Sequence, residues 1–456
     1  MNKETLARVS VAMVVVGVGL TSCGSSGFSQ SGDPARQASL TTALSSTTSF
    51  LTTAGEVEES TLPVDEAGVR VGAAVLVDDG FGPLVSQRVG LITNNAAQVD
   101  GERVLDLMLR SEAVDLVAIF APEHGIEAIE PGGFEVADTT ANGGEIVVHS
   151  LYGSDRAPTQ EALAELDVLV FDLQDVGVRA YTYLSTMGLA MEAAAEAEIP
   201  FVVLDRPNPL GGDYLAGYVR DPDLDSFISA YPVPAAHGLT AGELALAIKG
   251  EGWLDGVDRL QLEVVAMEGW HRDLVWSQTD LTWVAPSPGL PTVDATSVYP
   301  GTVLFEATSL SVGRGTTEPF TLVGAPWIDG ERLAADLNGR ALPGVWIEPA
   351  TFTPVATPLD PDPPYDSQTV NGIRIEVTDQ SVVQPVELGI HLFEAVKAQA
   401  VADALVARPE MLDLLAGSDR LRHAFDSGVG ADAIIAGWAD ELSAFATLRQ
   451  PYLLYD

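Results

Sequence analysis

Four short polar clusters carry residue types that do chemistry: Asn94-Asn95, Glu123-His124, Gln174-Asp175 and Asp205-Arg206-Pro207-Asn208. Their carboxylates can serve as general acid or base, their amides and imidazole can orient a substrate, and an arginine fork can grip an anion. Glu123, His124, Asp172 and Asp175 also supply the donor types of a metal site, although no second histidine stands at ligand spacing. Alone, any one cluster reads as a solvated loop or a helix cap. What unites them is position, because each follows directly on an apolar run.

Those runs are Arg88–Asn94, Leu116–Phe120, Asp167–Asp172 and Phe201–Leu204, and residues with helical spacing lie between them, at Glu102–Arg110 and from about Tyr183 to Glu198. Continuous apolar strands separated by helices indicate an α/β fold with a parallel sheet covered on both faces. In such sheets ligands sit beyond the carboxyl ends of the strands, which is where the four clusters fall. Further along, Thr240 with Glu243 matches a helix-capping box, and Leu262–Met267 reads as a strand. From Trp283 to Glu306 the chain is rich in Pro, and such prolines favour fixed, extended loops able to roof a cleft. A second unit, with a strand at Ile373–Val377 and a helix at Leu388–Ala398, is expected from about Glu318, its boundary between Arg314 and Pro326.

The 456 residues are 46% hydrophobic, enough for a substantial core and incompatible with wholesale disorder. A net charge of −42 with no basic run argues against nucleic acid as a partner. Cys23 is the only cysteine, so no intrachain disulfide or cysteine cluster can form. It ends a segment with Lys3, Arg8 and an apolar run from Val9 to Leu20, too short for a stable membrane span. The sequence Leu20-Thr21-Ser22-Cys23-Gly24 resembles a bacterial lipobox. Residues 1–22 therefore read as a lipoprotein signal and Cys23 as the lipidated residue, giving a protein held outside the cytoplasmic membrane by its lipid anchor alone. Sixteen of the 39 residues from Gly24 to Leu62 are Ser or Thr, so 23–65 reads as a tether that buries too little apolar surface to fold.

No GxxxxGK[ST], GxGxxG after a strand, HExxH or GxSxG occurs, so the α/β pattern carries no nucleotide or hydrolase fingerprint. Instead, from Arg88 to Asp456, a series of runs resembles the NamZ-type exo-β-N-acetylmuramidase family. They include Ala121-Pro122-Glu123-His124-Gly125, Ser150-Leu151-Tyr152-Gly153, Asp172–Gly177, Tyr181-Thr182-Tyr183, Asp205–Gly212, His237-Gly238-Leu239-Thr240, Pro286-Ser287-Pro288, Tyr299-Pro300-Gly301 and Ser311–Thr317. The resemblance implies a Rossmann-like catalytic domain (66–317), a smaller C-terminal α+β auxiliary domain (318–456) and a cleft between them. It implies release of terminal N-acetylmuramic acid from the non-reducing end of peptidoglycan fragments, with no nucleotide and no obligatory metal or other cofactor.

Glycoside cleavage needs an acid for the departing oxygen, and a carboxylate or the substrate's acetamido oxygen for the oxocarbenium-like centre. The resemblance implies an essential glutamate at Glu123, and the apolar strand end there favours the protonated carboxyl of a general acid. Asp175 and Glu306 are the candidates for the second catalytic group. Asp205 also lies in a matched motif and is a candidate substrate ligand, whereas Asp172 reads as structural. Asn94, His124, Tyr181, Asn208 and His237 are candidate sugar ligands, with Tyr183 and Trp283 more modest ones. Muramic acid bears a lactyl carboxylate, and Arg179, Arg206 and Arg314 are the motif arginines that could hold it, or else form internal salt bridges. Two departures stand out: Ile126-Glu127-Ala128 replaces the family's usual aromatic, arginine and glycine, and Gly289 replaces its usual asparagine. They motivate a non-catalytic, cell-wall-sugar-binding lipoprotein of the same fold as the alternative.

Overall fold

Successive strand side chains point to opposite faces, so a strand buried on both sides must be apolar throughout. Strand β1 (Arg88–Thr93) follows that rule, as do β4 (Asp115–Ala121), β7 (Val168–Asp172) and β8 (Phe201–Leu204). The computed structural model describes residues 68–400 and 405–456; the signal segment, Cys23 and the tether lie outside the described residues. With β5 (Thr139–Ala141), β6 (Ile146–Ser150) and β9 (Leu262–Val265), these strands form one seven-stranded sheet of order β5-β6-β4-β1-β7-β8-β9, parallel except for β5. Strands β2 (Gln98–Val99) and β3 (Glu102–Arg103) make a separate small hairpin.

The two faces of the sheet feed two cores. Ile92, Phe120, Phe171 and Phe201 pack with Met187 and Met191 of helix Tyr183–Glu196. Their neighbours Leu91, Ile119, Val170 and Val202 pack with Leu105 and Met108 of helix Val104–Arg110. Register places Ile92 level with Phe120 and Phe171, so β1, β4 and β7 deliver Asn94, Glu123 and Asp175 to the same edge. The expected capping box is present: Thr240 Oγ1 accepts from Glu243 N at 3.2 Å, and Glu243 Oε2 accepts from Thr240 N at 3.1 Å, at the start of helix Ala241–Glu251.

The Pro-rich stretch departs from the extended reading. Residues 283–292 form a loop, but Val293–Thr302 is a helix with Pro300 inside it, continued by a tight turn through Val303–Ala307. Thr292 caps it, its Oγ1 accepting from Ala295 N at 3.1 Å. Tertiary packing offsets the bond that Pro300 cannot donate: a Cβ at Gly301 would run into the Pro385 carbonyl of helix Pro385–Lys397, so only glycine permits this crossing. Helix Gly330–Gly339 covers an antiparallel sheet of order β10-β12-β11, built from β10 (Leu322–Ala325), β11 (Val345–Phe352) and β12 (Val370–Val377). Both sheets belong to one compact unit.

Candidate active site

Where β4 leaves the sheet, Pro122 is followed by His124 and Gly125, both with φ of +73°. This left-handed turn folds the chain back, with Gly125 N donating to Pro122 O at 3.0 Å, and leaves the Glu123 side chain at the floor of a cavity of about 500 Å³. The carboxyl is buried and fixed at both oxygens: Gly133 N donates to Oε1 and Thr182 Oγ1 to Oε2, each at 2.7 Å. Burial, together with the facing Glu123 charge, holds the Tyr152 phenol proton well above its ordinary range. His124 is buried beside Glu123, and burial pushes its pKa down, outweighing the attraction of the Glu123 charge. A neutral imidazole donating from Nδ1 to Glu130 O at 2.8 Å keeps Nε2 as an acceptor.

The facing wall is aromatic and charged. Tyr181 meets Tyr299 edge-on at 6.2 Å, Tyr299 meets Phe320 at 4.8 Å, and the Arg314 guanidinium lies 5.1 Å over the Phe320 ring. Arg314 Nε donates to Glu306 Oε1 at 2.5 Å, and its Nη1 reaches Asp360 Oδ1 at 3.4 Å. Burial works against the Arg314 charge, but Glu306 and Asp360 overcome it and raise the pKa above the ordinary arginine range. The roof comes from the loop between β11 and β12, whose residues Leu359-Asp360-Pro361-Asp362-Pro363-Pro364 line the cavity, with exposed Phe134 on the opposite rim.

Five of the expected residues thus meet in one cavity: Glu123, His124, Tyr181, Glu306 and Arg314. The other nine lie off its lining, and most have internal partners that account for them. Asn94 donates from Nδ2 to the Tyr183 hydroxyl at 2.8 Å, and Tyr183 in turn donates to Pro286 O, which ties β1 to the Pro286-Ser287-Pro288 loop. Arg179 donates to the carbonyls of Tyr218 and Val233 at 2.8 Å and of Leu415 at 3.1 Å; burial without a paired carboxylate lowers its pKa to about 9. Arg206 makes a two-pronged bond to Asp172 at 2.5 and 3.0 Å, both side chains fully enclosed. Asp205 accepts from Thr240 Oγ1 at 2.7 Å, Tyr455 Oη at 2.6 Å and Gly242 N at 2.8 Å; burial still pushes its pKa up to about 6.

Asn208 bridges Leu239 O and Leu210 N, while His237 accepts from Leu239 N, and burial lowers the His237 pKa to about 3. Asp175 accepts from Gly177 N at 2.7 Å through Oδ2, but its buried Oδ1 has no partner among the described residues. Trp283 packs edge-on against Trp276 and donates to Leu290 O, a packing role. Glu127 lies outside the cavity lining and pairs with Arg103 at 3.2 Å on an exposed face. Among the described residues no group of three or more His, Cys, Asp or Glu side chains converges to hold a metal, since Asp172 turns to Arg206 and Asp175 to Gly177.

Several cavity residues escaped sequence reasoning. Thr182 and Tyr152 stand in the matched runs Tyr181-Thr182-Tyr183 and Ser150-Leu151-Tyr152-Gly153, so the signal was present but unassigned. Asp360 and Arg408 come from the C-terminal half, where only the proline density of 359–364 marks a rigid loop.

Fold and site together define a two-part α/β protein with a carboxylate-floored cavity at the carboxyl ends of a parallel sheet, roofed by a small C-terminal sheet unit. The N-terminal domain of exo-β-N-acetylmuramidase NamZ matches residues 89–294, and its C-terminal domain matches 297–455. The chain is 38% identical over 388 residues to the peptidoglycan β-N-acetylmuramidase NamZ of Bacillus subtilis, covering 85% of this chain and 91% of that protein. Two crystal structures of DUF1343 family proteins from Bacteroides fragilis superpose with TM-scores of 0.77 and 0.72, at 35% and 30% identity. They cover 85% and 86% of this chain and 99% of each of theirs. The chain belongs to the exo-β-N-acetylmuramidase NamZ family.

Proposed function

We propose that this chain is an exo-acting glycosidase that removes terminal N-acetylmuramic acid from the non-reducing end of peptidoglycan fragments during cell-wall turnover or recycling. The observation that carries this reading is the Glu123 carboxyl, buried at the cavity floor and fixed by Gly133 N and Thr182 Oγ1. Family membership and the name of the Bacillus subtilis relative support the same chemistry. In this reading Glu123 donates its proton to the glycosidic oxygen as the bond to C1 breaks, and water completes the hydrolysis. Glu306, anchored by Arg314 on the cavity lining, is the candidate second carboxylate; the substrate's own acetamido oxygen is the other group able to meet the anomeric charge. Asp175 lies off the cavity lining, where it accepts from Gly177 N. A roofed cavity of this size suits the end of a saccharide better than the middle of a long strand.

The N-terminal features support a second part of the proposal: Cys23 is lipidated and anchors the protein to the outer face of the cytoplasmic membrane. The enzymatic part is tested with a chromogenic N-acetylmuramide. The mature protein should hydrolyse it equally with and without chelator, and Glu123→Gln should lower kcat by about 10² to 10⁴-fold while leaving the fold intact. Turnover by Glu123→Gln at the parent rate would overturn the assignment of the acid.

A further inference from the structure

We propose that Arg314 reads the lactyl carboxylate that distinguishes N-acetylmuramic acid from N-acetylglucosamine, and that Asp360 holds its place until substrate arrives; this rests on the muramidase reading above. The guanidinium is only partly used. Its Nε edge is taken by Glu306 at 2.5 Å, Nη1 has one long contact with Asp360 at 3.4 Å, and Nη2 has no partner among the described residues. The side chain lines the cavity at 27% exposure, and its plane is held by the Phe320 ring, itself braced by Tyr299. A flat, fixed fork with its outer edge open is the arrangement that takes a carboxylate by two parallel hydrogen bonds.

Gly289 keeps that edge uncovered. A Cβ there would stand 3.4 Å from Arg314 Nη1 and 3.2 Å from Phe320 Cε2, so any side chain would crowd the approach to the fork. Arg179 and Arg206, by contrast, are enclosed and engaged with carbonyls and with Asp172. Arg408 also lines the cavity, but it is bonded to the Glu306 carbonyl. Asp360 is held independently by Gly315 N at 3.2 Å, so its carboxylate stays beside Arg314 and repels an incoming anion that must displace its weak contact.

The test compares binding of N-acetylmuramic acid, its lactyl amide and N-acetylglucosamine by calorimetry, alongside hydrolysis of chromogenic muramide and muramide lactyl amide. The parent should prefer the acid over the amide by about 10- to 100-fold, the range of a charge-assisted pair. Arg314→Gln should abolish that preference, Arg314→Lys should retain part of it, and Asp360→Asn should increase it. Arg408→Gln should leave it largely intact. A parent without preference, or Arg314→Gln with the parental preference, would overturn the assignment. If Arg314→Gln fails to fold, Arg314→Lys and Asp360→Asn carry the test, and parental preference in both would overturn it. Failure of the muramidase reading looks different: neither glycoside is cleaved, while the acid-over-amide binding preference still reports on Arg314.

Discussion

Asp175→Asn gives the sharpest test of how the sheet edge is built. Asp175 is enclosed, and burial pushes its pKa up to about 7 from the model-peptide 3.8, against the opposing pull of the Gly177 and Val176 amides. A carboxyl whose pKa is raised on folding contributes stability at low pH that is lost as pH rises through the folded value. The full linkage is about 3 pH units at 1.36 kcal/mol each, or about 4 kcal/mol, and more than half of it falls between pH 5 and pH 8. Asparagine keeps an oxygen for the Gly177 amide, removes the charge and places an amide where Oδ1 stands without a partner. The difference in unfolding free energy between Asp175→Asn and parent, from urea titrations, should therefore favour the variant by about 2–3 kcal/mol more at pH 8 than at pH 5. Subtracting the parent removes the parallel titrations of Asp205 and His237, which the substitution leaves in place. An identical difference at both pH values would refute the claim that this buried carboxyl is protonated in the native protein. Muramide turnover in the same variant should stay within about tenfold of the parent, since Asp175 does not line the cavity.

Arg206→Met leaves the Asp172 carboxylate buried without its counter-ion, and should destabilise the protein by about 3–5 kcal/mol in the same titrations. Adding Asp172→Asn to that variant should recover a measurable part of the loss. Full-length Cys23→Ala protein should leave the membrane fraction for the soluble fraction when expressed in a bacterial host; persistence in the membrane fraction would refute lipid anchoring through that residue.

The sheet was legible because its physics is local. A strand covered on both faces has no tolerance for polar residues, so Leu91-Ile92, Ile119-Phe120 and Val170-Phe171 announce themselves, and so does the edge at which they stop. The site was legible only in part, because a polar residue at a buried strand end has two uses that look alike in one dimension. It can face the cavity, as Glu123 does, or it can satisfy the backbone and helix ends that the same edge leaves unpaired, as Asp205 does for helix Ala241–Glu251 through Thr240 and Gly242. Which use applies depends on partners far along the chain: Tyr455 for Asp205, Leu415 for Arg179, Tyr183 and Pro286 for Asn94. The opposite wall was hidden for the converse reason. Asp360 belongs to no strand end of the large sheet and acquires its position only when β11 and β12 pair and their loop folds back over Arg314. Chemistry at this edge therefore depends on most of its polar groups being spent on structure: Asp172 with Arg206, Asp205 with Thr240 and Asn94 with Tyr183 immobilise the loops, and that rigidity is what lets Gly133 and Thr182 hold a single carboxyl in one orientation.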